Sequence, residues 1–293
     1  MSKRLVSLIL AIMCVVFSAC NIGEDMPSQT EMTSVGLEYE LNSDGTNYAV
    51  KSIGECTDKE IVVPNEYNGL PVVAILYNAF ARNTKITSVV LPDSIEVVLD
   101  YAFSNCVSLE NVILGDGLKS IWEGAFGNCL RLQEINLPNN LEFIYDQAFY
   151  GCSALETVVV PDSVRTVGDY VFANCTALKS IAFSDTMDFI PEGVCASCVS
   201  LETIDFGTSV TTVRGEAFYG CSALQNLYIP QNIISLLSNS FKDCFSLKSV
   251  EFEFSSGWKC DNANVDTTNP TKNAEKFTGL SNGSTWLREI EIN

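Results

Sequence analysis

Twelve cysteines are the residues of this sequence with the most obvious capacity for chemistry. Seven of them recur every 23 positions: Cys106, Cys129, Cys152, Cys175, Cys198, Cys221 and Cys244. In an exported protein such cysteines could form disulfides, and Cys195-Ala-Ser-Cys198 has the spacing of a redox motif. A single fixed repeat position is, however, typical of a packed core, where a small free thiol is readily buried. The spacing therefore predicts a ladder of buried free thiols, without a redox role for Cys195.

The absence of histidine excludes most catalytic arrangements. Without imidazole there is no Ser-His-Asp or Cys-His mechanism and no histidine-containing zinc site. A phosphate-binding loop is also missing from the sequence, and no second Cys-x-x-Cys accompanies the first to complete a zinc site. The sequence therefore predicts a protein that is not an enzyme, with no catalytic residues, no metal site and no cofactor.

Five acidic side chains form a second series with the same spacing: Asp100, Glu123, Asp146, Asp169 and Glu192. Like charges about 5 Å apart in water repel by roughly 0.8 kcal/mol, so the row needs a compensating interaction. Each acid lies two residues before an apolar turn, where a carboxylate can cap free N–H groups and meet the positive end of a helix dipole. A calcium-binding edge is the alternative, since calcium prefers oxygen ligands. We favour capping.

The same interval of 23 positions runs through the whole central part of the sequence. The octapeptide AFYGCSAL occupies residues 148–155 and again residues 217–224, which are three intervals apart. The interval also carries a mostly aromatic position through eight units: Phe80, Phe103, Phe126, Phe149, Phe172, Cys195, Phe218 and Phe241. A fixed period of this length indicates a solenoid, in which each unit buries its apolar face against its neighbours.

Each unit combines a turn, a strand and a corner. Ala148-Phe149-x-x-Cys152 places apolar residues at helical offsets, which predicts a short helical turn. Leu155-x-x-Val158-x-Val160 then alternates with a period of two, as a half-buried strand does, and Pro161-Asp162 ends it. The predicted fold class is α/β, a right-handed curved solenoid whose parallel strands form a concave sheet, with a cap at each end.

The unit A-F-x-x-C-x-x-L, followed by L-x-x-V-x-V and Pro, closely resembles the BspA-like leucine-rich repeats of bacterial surface proteins. The resemblance covers residues 79–252 as eight repeats, while residues 37–78 resemble that family's N-terminal cap and residues 253–293 look like a closing cap. It implies a secreted or surface-anchored binding module, often credited with adhesion to host proteins or to other cells. The sequence departs from the repeat pattern at Asn83, Cys195, Ser184, Gly207 and Glu253, the last three of which replace the strand-end proline.

The first twenty residues resemble the export signal of a bacterial lipoprotein. Two basic residues precede the apolar run 5–17, which is too short to span a membrane, and two small residues directly precede Cys20. This pattern predicts a lipoprotein signal peptide at residues 1–19, lipidation of Cys20 and a lipid-anchored protein at the bacterial cell surface or outer membrane. An ordinary signal peptide with a chance cysteine is the alternative. The polar residues 20–36 are predicted to form a flexible tether.

Outward positions on the predicted concave strands are the candidates for ligand binding, because leucine-rich repeats usually bind there. That row consists of Val90, Ile113, Asn136, Val159, Ala182, Asp205, Tyr228 and Glu251. Apolar residues at solvent-facing positions suggest a binding partner. They are equally consistent with the intrinsic preference of β-branched residues for strands, and both explanations stay open. Trp122 and Tyr145, at equivalent outward positions of neighbouring units, form a candidate aromatic platform for a sugar or a partner side chain. A rim covered by neighbouring loops is equally consistent with that pair.

The charge balance limits the partners. The chain carries 17 basic and 36 acidic residues, a formal net charge of −19. Such a surface repels phosphate backbones and anionic lipids, so we predict no nucleic-acid partner and membrane contact only through the lipid anchor. The leading prediction is a monomeric, non-enzymatic adhesion or binding module that presents its concave sheet to an extracellular or host protein. A carbohydrate-binding surface lipoprotein, and a structural cell-surface protein without a specific ligand, are the alternatives.

Overall fold

The computed structural model describes residues 33–260, 263–264, 267–279 and 285–288. The predicted signal peptide, Cys20 and most of the predicted tether lie outside these residues. The described chain is a solenoid of stacked turns that repeat every 23 positions, in which two columns of parallel strands and one column of turns enclose the apolar core. The predicted solenoid is therefore confirmed.

The first column of strands, which we call the long-strand sheet, lies where the sequence predicts strands. Its members are β3 (Glu60–Val62), β6 (Ser88–Val90), β8 (Asn111–Ile113), β11 (Thr157–Val159), β13 (Ser180–Ala182), β15 (Thr203–Asp205), β17 (Asn226–Ile229) and β19 (Ser249–Phe252). From β6 onward the paired strands are parallel and offset by 23 positions, so that Val158 lies opposite Ile181, which lies opposite Ile204. A parallel bridge from Glu134 to Thr157 marks the intervening turn between β8 and β11.

The second column, the short-strand sheet, consists of two-residue strands. In the sequence, their position in each repeat is indicated only by a single apolar residue after the corner. Its members are β7 (Val97–Val98), β9 (Ser120–Ile121), β10 (Phe143–Ile144), β12 (Thr166–Val167), β14 (Phe189–Ile190), β16 (Thr212–Val213) and β18 (Ser235–Leu236). In each strand the second residue is buried. Two residues are too few to show an alternating pattern, which is why the sequence does not predict this sheet.

Both ends of the solenoid carry additional elements that cover the sheet edges. The N-terminal ones are β1 (Glu38–Leu41), β2 (Tyr48–Ser52), β4 (Glu66–Tyr67) and β5 (Leu70–Ile75), and β5 pairs with β7. The C-terminal ones are β20 (Trp258–Cys260), β21 (Ala263–Asn264), the helix α1 (Pro270–Gly279) and β22 (Trp286–Arg288). Strand β22 pairs with β18, and the Asn273 amide of α1 donates a hydrogen bond to the Val250 carbonyl of β19 at 3.0 Å. Both additions occupy edges that would otherwise be open to another chain.

The third column is formed by turns and not by the short helices that the sequence predicts. Each turn contains two left-handed residues four positions apart, such as Tyr170 and Asn174 with φ values of 56° and 61°. A right-handed helix cannot continue through such residues. Alternate backbone N–H groups instead point along the solenoid axis, so the Phe126 N–H donates to the Ala148 carbonyl of the next turn at 2.8 Å.

Rows of identical side chains fill the core behind these turns. The rings of Phe80, Phe103, Phe126, Phe149 and Phe172 are stacked, with successive centroids 4.9 to 5.6 Å apart and planes within 9° of parallel. Cys195 interrupts this stack, and the larger strand-end residues Phe183 and Phe206 fill the space by packing edge-on against Phe218 at 6.3 and 5.9 Å. The missing ring at Cys195 is thus accompanied by two phenylalanines at positions where earlier turns have leucines, Leu114 and Leu137.

The ladder cysteines are buried free thiols, as predicted. Each donates its S–H to the backbone carbonyl of the residue 26 positions earlier, as Cys106 does to Phe80 at 3.1 Å and Cys152 to Phe126 at 3.2 Å. Burial raises the pKa of the Cys106, Cys152 and Cys244 thiols to about 12. These three thiols therefore contribute neutral hydrogen-bond donors to the core.

Candidate functional site

The residues of the predicted binding row lie on the outer face of the long-strand sheet. Ile113, Asn136, Val159, Asp205, Tyr228 and Glu251 are exposed, whereas Val90 and Ala182 are half-buried. Val159 has 68% of its surface exposed and Tyr228 has 53%. Inward neighbours such as Val158 and Leu227 are buried, so the alternation of the strands determines which side chains reach solvent.

Aromatic and acidic side chains meet at the C-terminal part of this face, which we call the Tyr228 cluster (Asp205, Tyr228, Glu251 and Glu253). Tyr228 on β17 lies directly opposite Glu251 on β19. Desolvation, a hydrogen bond to Glu253 and the negative charges of Glu253 and Glu251 raise the pKa of the Tyr228 phenol. The Glu253 carboxylate also accepts the Gln231 backbone N–H at 2.9 Å, which holds it beside the ring. The cluster thus presents one aromatic ring within a negatively charged surface.

The N-terminal part of the same face is apolar. Ile113 and Val159 are exposed there, with Asn136 between them in the row and no charge at any of the three positions. A ligand lying along the face would meet aliphatic side chains at one end and the Tyr228 cluster at the other. The change from apolar to acidic residues follows the solenoid axis, because successive members of the row lie one turn apart.

A second group of exposed aromatic residues lies on the outer face of the short-strand sheet. The rings of Trp122 and Tyr145 are 5.1 Å apart with a 40° angle between planes, and Phe143 lies 6.3 Å from Tyr145. The Trp122 indole N–H donates to the Ser120 hydroxyl at 3.1 Å. The structure thus brings the predicted pair into contact, with more than a third of each side chain exposed, and adds Phe143 to it. We call these three residues the aromatic platform.

The acidic row is stabilised differently from what the sequence predicts. Each aspartate carboxylate of the row accepts the backbone N–H of the equivalent acid in the next turn, as Asp100 does from Glu123 at 3.2 Å and Asp146 from Asp169 at 2.8 Å. The capped N–H groups therefore belong to the neighbouring turn, and no helix dipole is involved because these segments are not helices. These interactions offset the repulsion between like charges.

The described part of the chain contains no cluster of three or more His, Cys, Asp or Glu side chains suited to a metal ion. Desolvation raises the pKa of the Cys195 thiol well above its usual range, so this member of the Cys-x-x-Cys pair is a protonated, unreactive group. Among the residues that the structure describes, no helix has the length and hydrophobicity needed to cross a bilayer.

Two residues of these surfaces are absent from the sequence-based candidates. Glu253 belongs to the Tyr228 cluster, and its signal is the replacement of the strand-end proline by an acid. Phe143 belongs to the aromatic platform, and its signal is a large apolar residue one position before the buried Ile144. Neither residue can be recognised as part of a surface site from the sequence, because the sequence does not show that both sheets expose an outer face.

The sequence matches the family model described as BspA type leucine-rich repeat region, with six copies, over residues 73–198 and 142–257. These two ranges together cover more than half of the chain. No curated protein matches the sequence.

Two crystal structures share the fold. The leucine-rich repeat protein TpLRR of T. pallidum is 28% identical, aligns over 69% of this chain and 91% of its own, and has a TM-score of 0.60. A leucine-rich repeat protein from Bacteroides ovatus is 22% identical, aligns over 80% of this chain and 72% of its own, and has a TM-score of 0.62. Repeat proteins of this type are generally non-enzymatic and are often found at the cell surface. The chain belongs to the family of proteins built from BspA-type leucine-rich repeats.

Proposed function

We propose that this protein is a surface-anchored, non-enzymatic binding module whose long-strand sheet holds an extended segment of another protein. The observation that carries the proposal is the outer face of that sheet, where exposed aliphatic residues are followed by the Tyr228 cluster. Exposed apolar side chains in an ordered row are typical of interaction surfaces. The negative charge around Tyr228 favours a partner that carries basic residues next to apolar ones.

Membership of the repeat family supports an interaction role, but the ligand has to be inferred from the side chains. Tyr228 is the expected anchor, because tyrosine buries a large rigid ring at little entropic cost and is enriched at binding hot spots. The charged members of the Tyr228 cluster would mainly increase the association rate. We propose no catalytic role for any residue, since the Cys195 thiol is protonated and the aspartates of the acidic row are engaged with backbone N–H groups.

Replacing Tyr228 by alanine should weaken binding of such a segment by about 2 kcal/mol, or roughly 30-fold, because the contact would lose its aromatic anchor. A phage-displayed random peptide library selected on the immobilised protein would supply the ligands. We expect the enriched peptides to combine apolar residues with lysine or arginine. Dissociation constants of these peptides would then be measured for the wild type and for Tyr228→Ala.

Two comparisons make that experiment specific. Asp205→Asn combined with Glu251→Gln should slow association and reduce its salt dependence, with a smaller effect on dissociation. Tyr77→Ala is the matched control, because Tyr77 is a similarly exposed tyrosine (67%) in the N-terminal cap. Peptides that lose affinity with Tyr77→Ala but keep it with Tyr228→Ala would contradict the assignment of the binding face.

Attachment to the membrane through Cys20 is part of the same proposal. The charged start, the short apolar run and the small residues before Cys20 support it. Three acyl chains, as in the usual bacterial modification, exceed the two signals needed for stable anchoring. Metabolic labelling with an alkyne fatty acid in a bacterial host should mark the wild type and Cys14→Ala, and should leave Cys20→Ala unlabelled. Label on Cys20→Ala equal to the wild type would refute the anchor.

A further inference from the structure

An open pocket of about 360 Å³ lies beside the aromatic platform. Its lining is polar and comes from the corners of three successive turns: Asn139, Asn140, Glu142, Asp162, Ser163, Arg165 and Thr186. Glu142 directly precedes Phe143 of β10, and Arg165 directly precedes Thr166 of β12. Phe143 and Thr166 lie opposite each other in the short-strand sheet, so the pocket is adjacent along the chain to a residue of the platform.

Several polar groups of this pocket have no partner within the described chain. The Ser163 hydroxyl oxygen is buried without a hydrogen bond. Glu96, Lys119, Glu142 and Arg165 occupy the same position in four successive turns. Lys119 forms an ion pair with Glu96 at 3.0 Å, but among the described residues no ion pair joins Glu142 and Arg165. A buried hydroxyl without a partner costs free energy, so the lining of this pocket contains an unsatisfied polar group.

Gly168 takes the place of an aromatic residue on the turn that follows Tyr145. A Cβ atom at residue 168 would lie 2.5 Å from the Asp146 backbone nitrogen and even closer to its carboxylate, so the backbone there excludes any side chain. At the equivalent positions of the two preceding turns stand Tyr145 and Trp122 themselves. No side chain therefore continues this row beyond Tyr145 on the following turn.

We propose that the aromatic platform and the polar pocket form a binding site for a short, neutral oligosaccharide. Aromatic rings pack against the C–H faces of a sugar, while carboxylate, guanidinium and hydroxyl groups bind its hydroxyls. The opposite charges of Glu142 and Arg165 suit an uncharged ligand, and the net charge of −19 disfavours an anionic glycan. This site lies on the short-strand sheet and is independent of the long-strand face proposed above to hold a protein segment.

Native affinity gel electrophoresis tests the proposal with defined polysaccharides. The neutral probes are yeast mannan, dextran, barley β-glucan and xyloglucan, and the anionic ones are polygalacturonate and chondroitin sulfate. At least one neutral polysaccharide should retard the wild type. Trp122→Ala combined with Tyr145→Ala should weaken that retardation at least about tenfold, and Arg165→Ala should weaken it too, whereas Tyr228→Ala should leave it unchanged. Unfolding curves of each variant would establish that the fold is intact.

Tryptophan fluorescence supplies a second readout. Trp258 and Trp286 are 2% and 3% exposed while Trp122 is 37% exposed, so iodide should quench mainly Trp122. The retarding polysaccharide should protect Trp122 from iodide. The proposal is overturned if none of the four neutral polysaccharides retards the protein, if only the anionic ones do, or if the double variant is retarded as strongly as the wild type.

Discussion

Replacing Phe126 by alanine should lower the free energy of unfolding by about 3–5 kcal/mol, because it opens a cavity in the middle of the phenylalanine stack. Phe126 is fully buried, and its ring centroid lies 5.2 Å from that of Phe103 and 5.4 Å from that of Phe149. The cavity would remain open, because the nearest strand-end residues are leucines. Urea unfolding followed by circular dichroism measures the change.

Cys195 indicates how such a cavity is filled in this fold. There the ring is missing, and Phe183 and Phe206 occupy the strand-end positions that Leu114 and Leu137 hold around Phe126. Adding Leu114→Phe and Leu137→Phe to Phe126→Ala should therefore recover part of the lost stability. Phe245→Ala is the matched control, since that ring is 77% exposed and its loss should cost little. A loss for Phe126→Ala no greater than for Phe245→Ala would contradict the packing described here.

The second large effect is a loss of stability at alkaline pH caused by the thiol ladder. Burial raises the pKa of Cys106, Cys152 and Cys244 to about 12, whereas a thiol in the unfolded chain ionises near the ordinary value of 9.0. Between these values the unfolded state holds fewer protons than the native state, so stability falls as pH rises. The contribution is fully present below about pH 9. Each thiol should remove roughly 1 kcal/mol per pH unit above that.

Urea unfolding under reducing conditions, at intervals between pH 8 and 11, measures this slope. The triple variant Cys106→Ala, Cys152→Ala and Cys244→Ala should be less stable at pH 8, because the sulfur atoms no longer fill the core, but its stability should fall less steeply with pH. Tyr39, whose pKa burial and neighbouring groups raise to about 12, remains in the variant and contributes a residual slope of the same sign. An unchanged slope in the triple variant would show that the ladder thiols do not carry the effect.

The sequence determines the solenoid, its period and its interior. Phe126, Cys129 and Leu132 each belong to a series of residues that recurs every 23 positions, and all three are completely buried. A unit that cannot bury its apolar face alone has to stack on a neighbour, so the pattern predicts both the fold and the buried positions. The alternation along each strand likewise predicts that Val159 and Tyr228 are exposed.

Only the tertiary structure determines the contacts that run from one turn to the next. The Tyr101 hydroxyl donates to Glu123, and the Tyr170 hydroxyl donates to Glu192 at 3.2 Å. Each ring lies over a glycine of the following turn, where a Cβ would collide with the ring. At the two turns that follow Tyr101 and Tyr170, the acidic row accordingly has a glutamate and not an aspartate.

The pocket beside the aromatic platform has the same origin. Its lining residues come from three successive turns. Within a single repeat, each of them is an ordinary polar residue of a corner. The 23-residue period gives the position of a side chain along the solenoid axis. The direction of that side chain depends on the backbone angles of its own turn and on the space that the neighbouring side chains leave. That space exists only when the turns are stacked.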